Sequence, residues 1–514
     1  MKKSVSGLSK YVYLSEKHVE FLKKNFVINL AFLLLLNLLV KPFWIFGIER
    51  SVQNIVGAGE YGFYFTLFNF SLILQILLDM GTTNFNNRNI AQHGHMLSKY
   101  FSNIVSLKFM LAILYAVVSI GIALAIGYDL RQMSVLAVLI LNQFLSSMVL
   151  YLRSNISGLQ LFKTDSALSV LDRFIMIVVC SLLIWGNVTS TPMRIEWFVY
   201  AQTASYLITA LVAFVLVLRH TQYFRLSFNF RFYAVFLKQS WPYALLILLM
   251  AFYNRVDSIM IERLLPDGQA QAGIYAQAFR LLDAFSMIAF LFSALLMPLF
   301  ARMLGKKEPV DEIVKISSLL LIVPAILLAA VCIIYNQELM NLMYVAHTRE
   351  SANILGFLMT GFVGICGTYI FGSLLTANGS LKQLNIMAAS GMAFNIAVNF
   401  MMIPRFGIEG AAITSMVTQL FTMAAQAFIA VKILQLRINY LLVIRILLFF
   451  PAALGIAWLS KSLIQNWLVA STVTLCIALI LAFVIRIFSF SKLGELLRPV
   501  NEENSHTEAD NNEK

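Results

Sequence analysis

The sequence predicts an all-α integral membrane protein with about fourteen transmembrane helices. Hydrophobic residues make up 60% of the 514 positions and charged residues only 12%, and the mean hydropathy is +0.80. Soluble domains carry roughly 25% charged residues and lack long apolar runs. Here stretches of about 20 apolar residues, long enough to cross a bilayer as a helix, recur along the whole chain. These observations exclude a soluble globular protein.

The chain opens with a basic segment, residues 1–25, that precedes the first apolar span. No short apolar region with a small-residue cleavage site follows it, so we expect no removable signal peptide. The first span then acts as a signal anchor. The fourteen predicted spans are 26–48, 61–80, 101–127, 132–152, 167–186, 197–218, 241–263, 273–298, 313–335, 352–377, 383–403, 409–434, 441–460 and 467–488.

The loop charges give the orientation. With the N-terminus in the cytoplasm, most loop lysines and arginines fall on the cytoplasmic side, and each outer loop keeps about one. This asymmetry predicts that both termini are cytoplasmic. It also explains the net charge of +13 without a nucleic-acid partner.

Two blocks of six spans share a pattern. The second span opens with Gly59-Glu-Tyr-Gly-Phe-Tyr64, and the eighth opens with Ala272-Gly-Ile-Tyr275. A parallel repeat of this kind predicts two pseudo-symmetric six-helix bundles related by an axis along the membrane normal. They are an N-lobe at 26–219 and a C-lobe at 241–437.

Three further segments complete the predicted organisation. Within residues 220–240, apolar residues alternate with polar ones that include Arg225 and Arg231; the apolar set is Phe224, Leu226, Phe228, Phe230 and Phe232. This pattern favours a cytoplasmic interfacial linker, with a surface strand as the alternative. Residues 438–490 supply two C-terminal helices outside the repeat. Residues 491–514 are acidic and poor in apolar residues, which predicts a disordered cytoplasmic tail.

Spans seven and eight carry the most informative charges. Arg255 and Asp257 lie in the first of them, and Arg280 and Asp283 lie in the second. A charge at the bilayer centre costs about 2.5 to 3.5 kcal/mol on insertion scales, so these four side chains should avoid lipid. We expect them to face a polar cavity at the interface of the two lobes.

Three segments occur in an order that points to a family. Tyr61-Gly62 opens a span that ends Leu78-Asp-Met-Gly81, and Asn254-Arg-Val-Asp257 is followed by Ala272-Gly-Ile-Tyr-Ala-Gln-Ala-Phe-Arg280. The hairpin between spans eleven and twelve reads Ile403-Pro-Arg-Phe-Gly-Ile-Glu-Gly-Ala-Ala412. Over about residues 20–490 the chain resembles the multidrug/oligosaccharidyl-lipid/polysaccharide (MOP) exporter superfamily, and within it the Wzx-type repeat-unit flippases.

That resemblance implies an inner-membrane transporter for surface polysaccharides such as O-antigen, lipopolysaccharide or capsule. Its substrate would be an undecaprenyl-pyrophosphate-linked oligosaccharide, moved to the periplasmic face by alternating access. The resemblance also implies a cavity lined by the first, second, seventh and eighth helices. The expected partners are the lipid-linked oligosaccharide and membrane lipids, with a polysaccharide polymerase and a chain-length regulator as candidates.

Three cations are the candidate substrate-binding residues. Arg255, Arg280 and Lys41 all lie in the outer half of their spans, and they come from both lobes. Arginine suits a pyrophosphate because its guanidinium stays charged and offers a planar fork of donors. The alternative is that Arg255 forms a structural ion pair with Asp257 or Asp283, and Arg280 with Asp283. Lys41, which precedes a proline, either marks a bend in a moving helix or extends to the membrane surface.

Three more charges are candidates for cavity or coupling roles, together with Asp257 and Asp283. Asp79 lies at the inner end of span two, where a structural role is favoured. Asp172 and Arg173 are adjacent in span five and cannot share one helix face, so one of them can point to the cavity.

The sequence shows no catalytic or metal-ligating set. There is no Gly-x-x-x-x-Gly-Lys-Ser/Thr phosphate loop and no nucleophile, base or paired-carboxylate arrangement in a large outer loop. We therefore expect no enzymatic activity, no metal and no cofactor.

The alternative functions are a lipid II flippase, a cation-coupled multidrug exporter and, from a different class, a membrane-embedded glycan enzyme. The glycan, the coupling ion and the oligomeric state stay open, as does which charges touch substrate.

Overall fold

The computed structural model describes residues 36–37, 39–40, 42–83, 86, 90, 97–159, 161–186, 188, 191–221, 224, 228–437 and 439–487. Every regular element within them is helical. The basic segment 1–25, most of the first predicted span and the tail 491–514 lie outside the described residues.

A π-helical segment, Trp44–Glu49, leads into the first α-helix. The α-helices are α1 Arg50–Ile73, α2 Ile76–Asp79, α3 Leu97–Ile126, α4 Leu130–Gly158, α5 Phe162–Trp185, α6 Ile195–Leu218, α7 Phe230–Leu264, α8 Gly268–Gly305, α9 Asp311–Ile334, α10 Asn336–Met343, α11 Thr348–Ala377, α12 Leu381–Leu434, α13 Tyr440–Leu463 and α14 Trp467–Val484. Eleven helices in the described part are long and apolar enough to cross a membrane. The predicted spans from the second onward all fall on the helices α1 to α14: the second comprises the end of α1 with α2, and the eleventh and twelfth both lie in α12.

Two of the α-helices are hairpins joined by one glycine. Gly57 in α1 has φ 82° and Gly407 in α12 has φ 60°, a backbone region that only glycine adopts at low cost. On either side of Gly407 the rings of Phe394 and Phe421 stack at 5.7 Å, so the two arms run side by side. The 54-residue α12 therefore supplies the eleventh and twelfth predicted spans.

Some helix starts follow directly from local sequence. Asp129 caps α4, because its carboxylate accepts the backbone N–H of Gln132 at 2.7 Å. The Gln132 side chain accepts the backbone N–H of Asp129 in return at 2.9 Å. This capping box satisfies two donors that the first turn of a helix otherwise leaves unpaired.

The helices form two bundles. Helices α1 to α6 pack among themselves, as do α7 to α12, and α13 and α14 pack against α9. The bundles meet where α1 contacts α7 and α8. This arrangement places the charged hairpin α7–α8 at the interface, as its sequence predicts.

Two segments differ from the sequence-based prediction. Helix α7 begins at Phe230, so the second half of the predicted linker 220–240 is a helical extension of the seventh span. The described part of that linker contains no strand. The loop after α9, predicted to be an outer one, contains the short helix α10, an element not predicted from the sequence.

The orientation of the bundle stays a prediction, and cysteine labelling tests it. Positions near Lys163, Arg231 and Lys306 should react only with reagents that reach the cytoplasm. Positions near Gly268 and Thr348 should react with impermeant reagents added outside, because these loops alternate along the chain. Labelling of position 268 from the cytoplasmic side alone would contradict the fourteen-span topology.

Candidate functional site

A cavity of about 930 Å³ lies between the two bundles. The N-lobe contributes Trp44, Glu49, the end of α1 with α2, and residues of α4 and α5. The C-lobe contributes α7, α8, α11 and α12. Its charged lining residues in the described part of the chain are Glu49, Asp79, Arg173, Arg255, Arg280 and Asp283. The predicted interface cavity is therefore present, and five of these six residues were candidates from the sequence.

Arg280 joins the two lobes. Its Nη2 atom lies 2.8 Å from Glu49 Oε1, and its Nε donates to the Tyr61 hydroxyl at 3.0 Å. Tyr61 in turn donates to Glu49 Oε1 at 2.9 Å. The side chains of Arg280 and Glu49 are only 9% and 7% exposed, so this is a buried ion pair between lobes.

Arg255 forms the second pair in the cavity. Its two terminal nitrogens contact the two carboxylate oxygens of Asp283 at 3.0 and 3.1 Å, in the fork geometry typical of arginine and carboxylate. The same guanidinium donates to Asn69 of the N-lobe at 3.3 Å. Asp283 also lies 3.4 Å from Arg280, so one carboxylate links the two arginines.

Aromatic rings surround both guanidinium groups. Arg280 lies over the ring of Phe65 at 5.1 Å, and Arg255 lies over Phe279 at 5.3 Å. Contacts of this kind stabilise a cation that has lost its water. The two rings themselves meet edge to face at 5.7 Å across the lobe interface.

Arg173 is the third arginine of the lining and the one with the weakest anionic partner. Its Nε lies 3.7 Å from the Asp172 carboxylate, beyond hydrogen-bonding distance. Its guanidinium instead lies over the rings of Trp44 and Tyr206 at 5.5 and 5.7 Å. Asp172 is not part of the cavity lining, so of the two adjacent charges only Arg173 lines the cavity.

Asp79 lies at the far end of the cavity and is paired. Lys108, which is 1% exposed, donates to Asp79 Oδ1 at 2.8 Å and to the carbonyl of Leu78 at 3.1 Å. The chain leaves the helix here through Met80, whose φ is 44°. Lys108 thus satisfies a carboxylate and a carbonyl at a broken helix end, which fits the structural role favoured for Asp79.

Asp257, like Asp172, does not line the cavity. It is 1% exposed and accepts hydrogen bonds from Asn399 at 2.7 Å and Tyr275 at 3.2 Å, inside the C-lobe. Among the described residues no lysine, arginine or histidine forms an ion pair with it. Of the two partners that the sequence left open for Arg255, the structure has Asp283 rather than Asp257. Lys41 lies outside the described residues.

The two lobes are in direct contact at one end of their interface, where the start of α8 packs against the start of the second arm of α1. A Cβ atom built on Gly62 would lie 1.8 Å from the carbonyl oxygen of Gln269, and one on Gly273 would lie 1.9 Å from that of Ala58. Gln53 adds a hydrogen bond to the Gly273 carbonyl at 2.9 Å. Only glycine permits this backbone contact, which closes one end of the interface.

Helix α10 adds to this closed end. The Arg50 guanidinium donates to the carbonyls of Met343 and Leu342, the latter at 2.9 Å. Asn54 donates to Met343 at 3.1 Å. The C-lobe loop thus holds the end of the first span.

Glu49 and Lys108 were not predicted from the sequence as site residues. Glu49 ends the first span next to Arg50, so it was indistinguishable from an ordinary loop charge. Lys108 gave a clearer signal, because a lysine well inside an apolar span requires a buried partner.

Comparison of the sequence with family models decides which family the chain belongs to. The model for the polysaccharide biosynthesis protein family matches residues 26–304, which is more than half of the chain. The chain belongs to this family. The matched region contains Glu49, Arg173, Arg255, Arg280 and Asp283, so it includes the charged lining of the cavity. Comparison with curated proteins yields no match.

Solved transporter structures share the fold of this polysaccharide biosynthesis family member. The lipid II flippase MurJ in an inward closed conformation aligns with a TM-score of 0.65 at 13% identity, over 88% of this chain and 98% of MurJ. A MATE family multidrug resistance transporter in an inward-facing conformation aligns with a TM-score of 0.56 at 14% identity, over 80% of this chain and 98% of the transporter. An outward-facing MATE family multidrug resistance transporter aligns with a TM-score of 0.57 at 12% identity, over 80% of this chain and 95% of the transporter. The predicted MOP superfamily fold is confirmed.

Proposed function

We propose that this protein moves undecaprenyl-pyrophosphate-linked oligosaccharide repeat units across the bacterial inner membrane by alternating access. The product would serve the synthesis of a surface polysaccharide such as O-antigen or capsule. One observation carries the proposal: in a member of the polysaccharide biosynthesis family, three arginines line a cavity between two lobes of a transporter fold.

The way in which these arginines are paired with carboxylates favours an anionic substrate. The lining residues are balanced in charge, with three arginines and three carboxylates, so a pyrophosphate has to exchange with Glu49 or Asp283. Arg173 can receive an anion without breaking a hydrogen-bonded ion pair, since its nearest carboxylate is 3.7 Å away. A cationic drug would have to separate bidentate or buried pairs and then lie beside the guanidinium groups.

The size of the cavity suits the polar part of the substrate. Its volume, about 930 Å³, lies at the upper end of the range of roughly 300 to 1,000 Å³ for ligand pockets. It offers room for a pyrophosphate and the sugars beside it, while the polyprenyl chain stays in the bilayer.

Alternating access is supported by the closed end of the interface. The lobes contact through Gly62 and Gly273 at one end, and the lining extends from there toward Asp79 and Phe290 at the other. With cytoplasmic termini, the closed end is periplasmic. MATE transporters of the same fold occur in both inward-facing and outward-facing conformations.

Asp257 is proposed as a coupling residue. It is a buried carboxylate that only neutral donors contact among the described side chains, so uptake of a proton or cation there would change the charge inside the C-lobe. Its substitution by asparagine keeps the size of the side chain and removes the charge.

Deletion of the gene tests the substrate. We expect lipid-linked oligosaccharide repeat units to accumulate at the cytoplasmic face, and surface polysaccharide to be lost, because the flipping step is missing. Complementation with the intact gene should reverse both effects. Accumulation of lipid II instead would assign the chain to the second candidate function, which the MurJ-like fold favours. A deletion strain that becomes sensitive to drugs but makes normal surface polysaccharide would contradict both flippase functions. Loss of glycan assembly before the transfer step would indicate an enzyme rather than a transporter.

A further inference from the structure

One wall of the cavity has unused hydrogen-bonding capacity. Asn254 of α7 and Gln419 of α12 both line it, and the Gln419 amide donates to the Asn254 carbonyl oxygen at 2.6 Å. This bond fixes both amide planes. Among the described residues, nothing pairs with the Asn254 amide nitrogen or the Gln419 side-chain oxygen, and neither atom is fully buried. A donor and an acceptor are therefore available to a ligand.

Two hydroxyl groups on the same side of the cavity also lack a partner. Thr368 of α11, which is 6% exposed, and Ser286 of α8 both line the cavity. Their oxygen atoms are buried and make no hydrogen bond within the described part of the chain. Buried unpaired hydroxyls are rare because they are costly, so each one requires an explanation. A change of χ1 rotamer can turn such a hydroxyl toward the lumen.

An aromatic pair completes this wall. Tyr369 of α11 and Phe290 of α8 meet edge to face at 6.2 Å, and both line the cavity. All six side chains come from the C-lobe and none is charged. The charges begin next to them, at Arg255, which follows Asn254 in the sequence.

We infer that this uncharged wall is a subsite for the neutral sugar rings next to the pyrophosphate, and the inference rests on the function proposed above. Sugar hydroxyls need both donors and acceptors, which Asn254, Gln419 and the two free hydroxyls supply. Aromatic faces pack against the C–H faces of a sugar ring. These six side chains carry no charge of their own to pair with an acidic sugar, so the subsite suits uncharged sugars at that position.

Binding of two probes to the purified protein in lipid nanodiscs tests the subsite. The first probe is a polyprenyl pyrophosphate, and the second is the same lipid carrying one N-acetylglucosamine. We expect Thr368→Val and Ser286→Ala each to weaken binding of the glycosylated probe by about tenfold, the value of one hydrogen bond. Binding of the sugar-free probe should stay unchanged. Both variants should fold, because the removed hydroxyls have no partner.

Thr209→Val is the matched control. Its hydroxyl is also buried without a partner, but it lies in α6 away from the cavity, so both probes should bind that variant normally. Equal binding of the glycosylated probe to Thr368→Val, Ser286→Ala and the unaltered protein would overturn the subsite. Equal loss of both probes would also overturn it, since the effect would not depend on sugar. Failure of the unaltered protein to bind either probe would instead refute the proposed function.

Discussion

Replacement of Arg280 or Arg255 by alanine is expected to abolish glycan export while the protein remains in the membrane. Each guanidinium can make two charge-assisted hydrogen bonds to a pyrophosphate, each of about 1.5 to 3 kcal/mol, so losing one fork should cost at least about a hundredfold. Arg→Lys should restore export only in part, because a point charge replaces a planar fork. Export of lipid-linked glycan at matched expression is the measurement. Arg263→Ala is the control, since this arginine lies in α7 outside the cavity lining.

A double substitution separates substrate binding from structural pairing. In Arg280→Ala the buried Glu49 loses its ion-pair partner, and a stranded buried charge costs about 3 to 5 kcal/mol. Replacing Glu49 by leucine in the same protein removes that charge and should recover stability. Export should stay absent, because the guanidinium of Arg280 that binds the substrate is still missing. Recovery of export in the double variant would show that Arg280 serves only to neutralise Glu49.

A disulfide across the closed end of the interface is expected to stop export, and reduction should restore it. The contact of Gly62 with Gln269, and of Gly273 with Ala58, brings together the turn that precedes the second arm of α1 and the turn that precedes α8. Cysteines at positions 58 and 269, in a protein without its four native cysteines, should therefore link under oxidation. Alternating access requires these turns to separate in every cycle, so a link would hold the lobes in one state.

Two controls define this experiment. A cysteine at position 58 combined with one at the exposed Leu130 should leave export unchanged after oxidation, which excludes a general effect of the oxidant. The 58–269 pair should also lose its link when the turns are forced apart by Gly62→Leu. A complete link without any effect on export would mean that the lobes do not open at this end.

Much of the fold could be predicted because the bilayer imposes simple rules on sequence. A span needs about 20 apolar residues, and a break between spans needs polar residues or glycine. The boundaries of the spans could therefore be predicted from the sequence. The same rules predicted a polar cavity beside the α7–α8 hairpin, because Arg255, Arg280 and Asp283 could not face lipid. The structure brings these three side chains together.

The pairing of charges could not be predicted, because it depends on helix rotation. Arg255 and Asp257 are two residues apart and thus point about 200° apart on one helix. Either of them could have faced the cavity. The packing of α7 against α8 and α12 determines that Arg255 faces the cavity, because it places Asp257 beside Tyr275 and Asn399.

Sequence alone therefore determined the membrane class, the spans and the set of charges that must avoid lipid, since insertion energy depends on composition and length. Tertiary structure alone decided which of these charges meet. Glu49 became the partner of Arg280 because a hairpin at Gly57 returns the chain and α8 packs against it. Those contacts join residues more than two hundred positions apart, and no local pattern records such a distance.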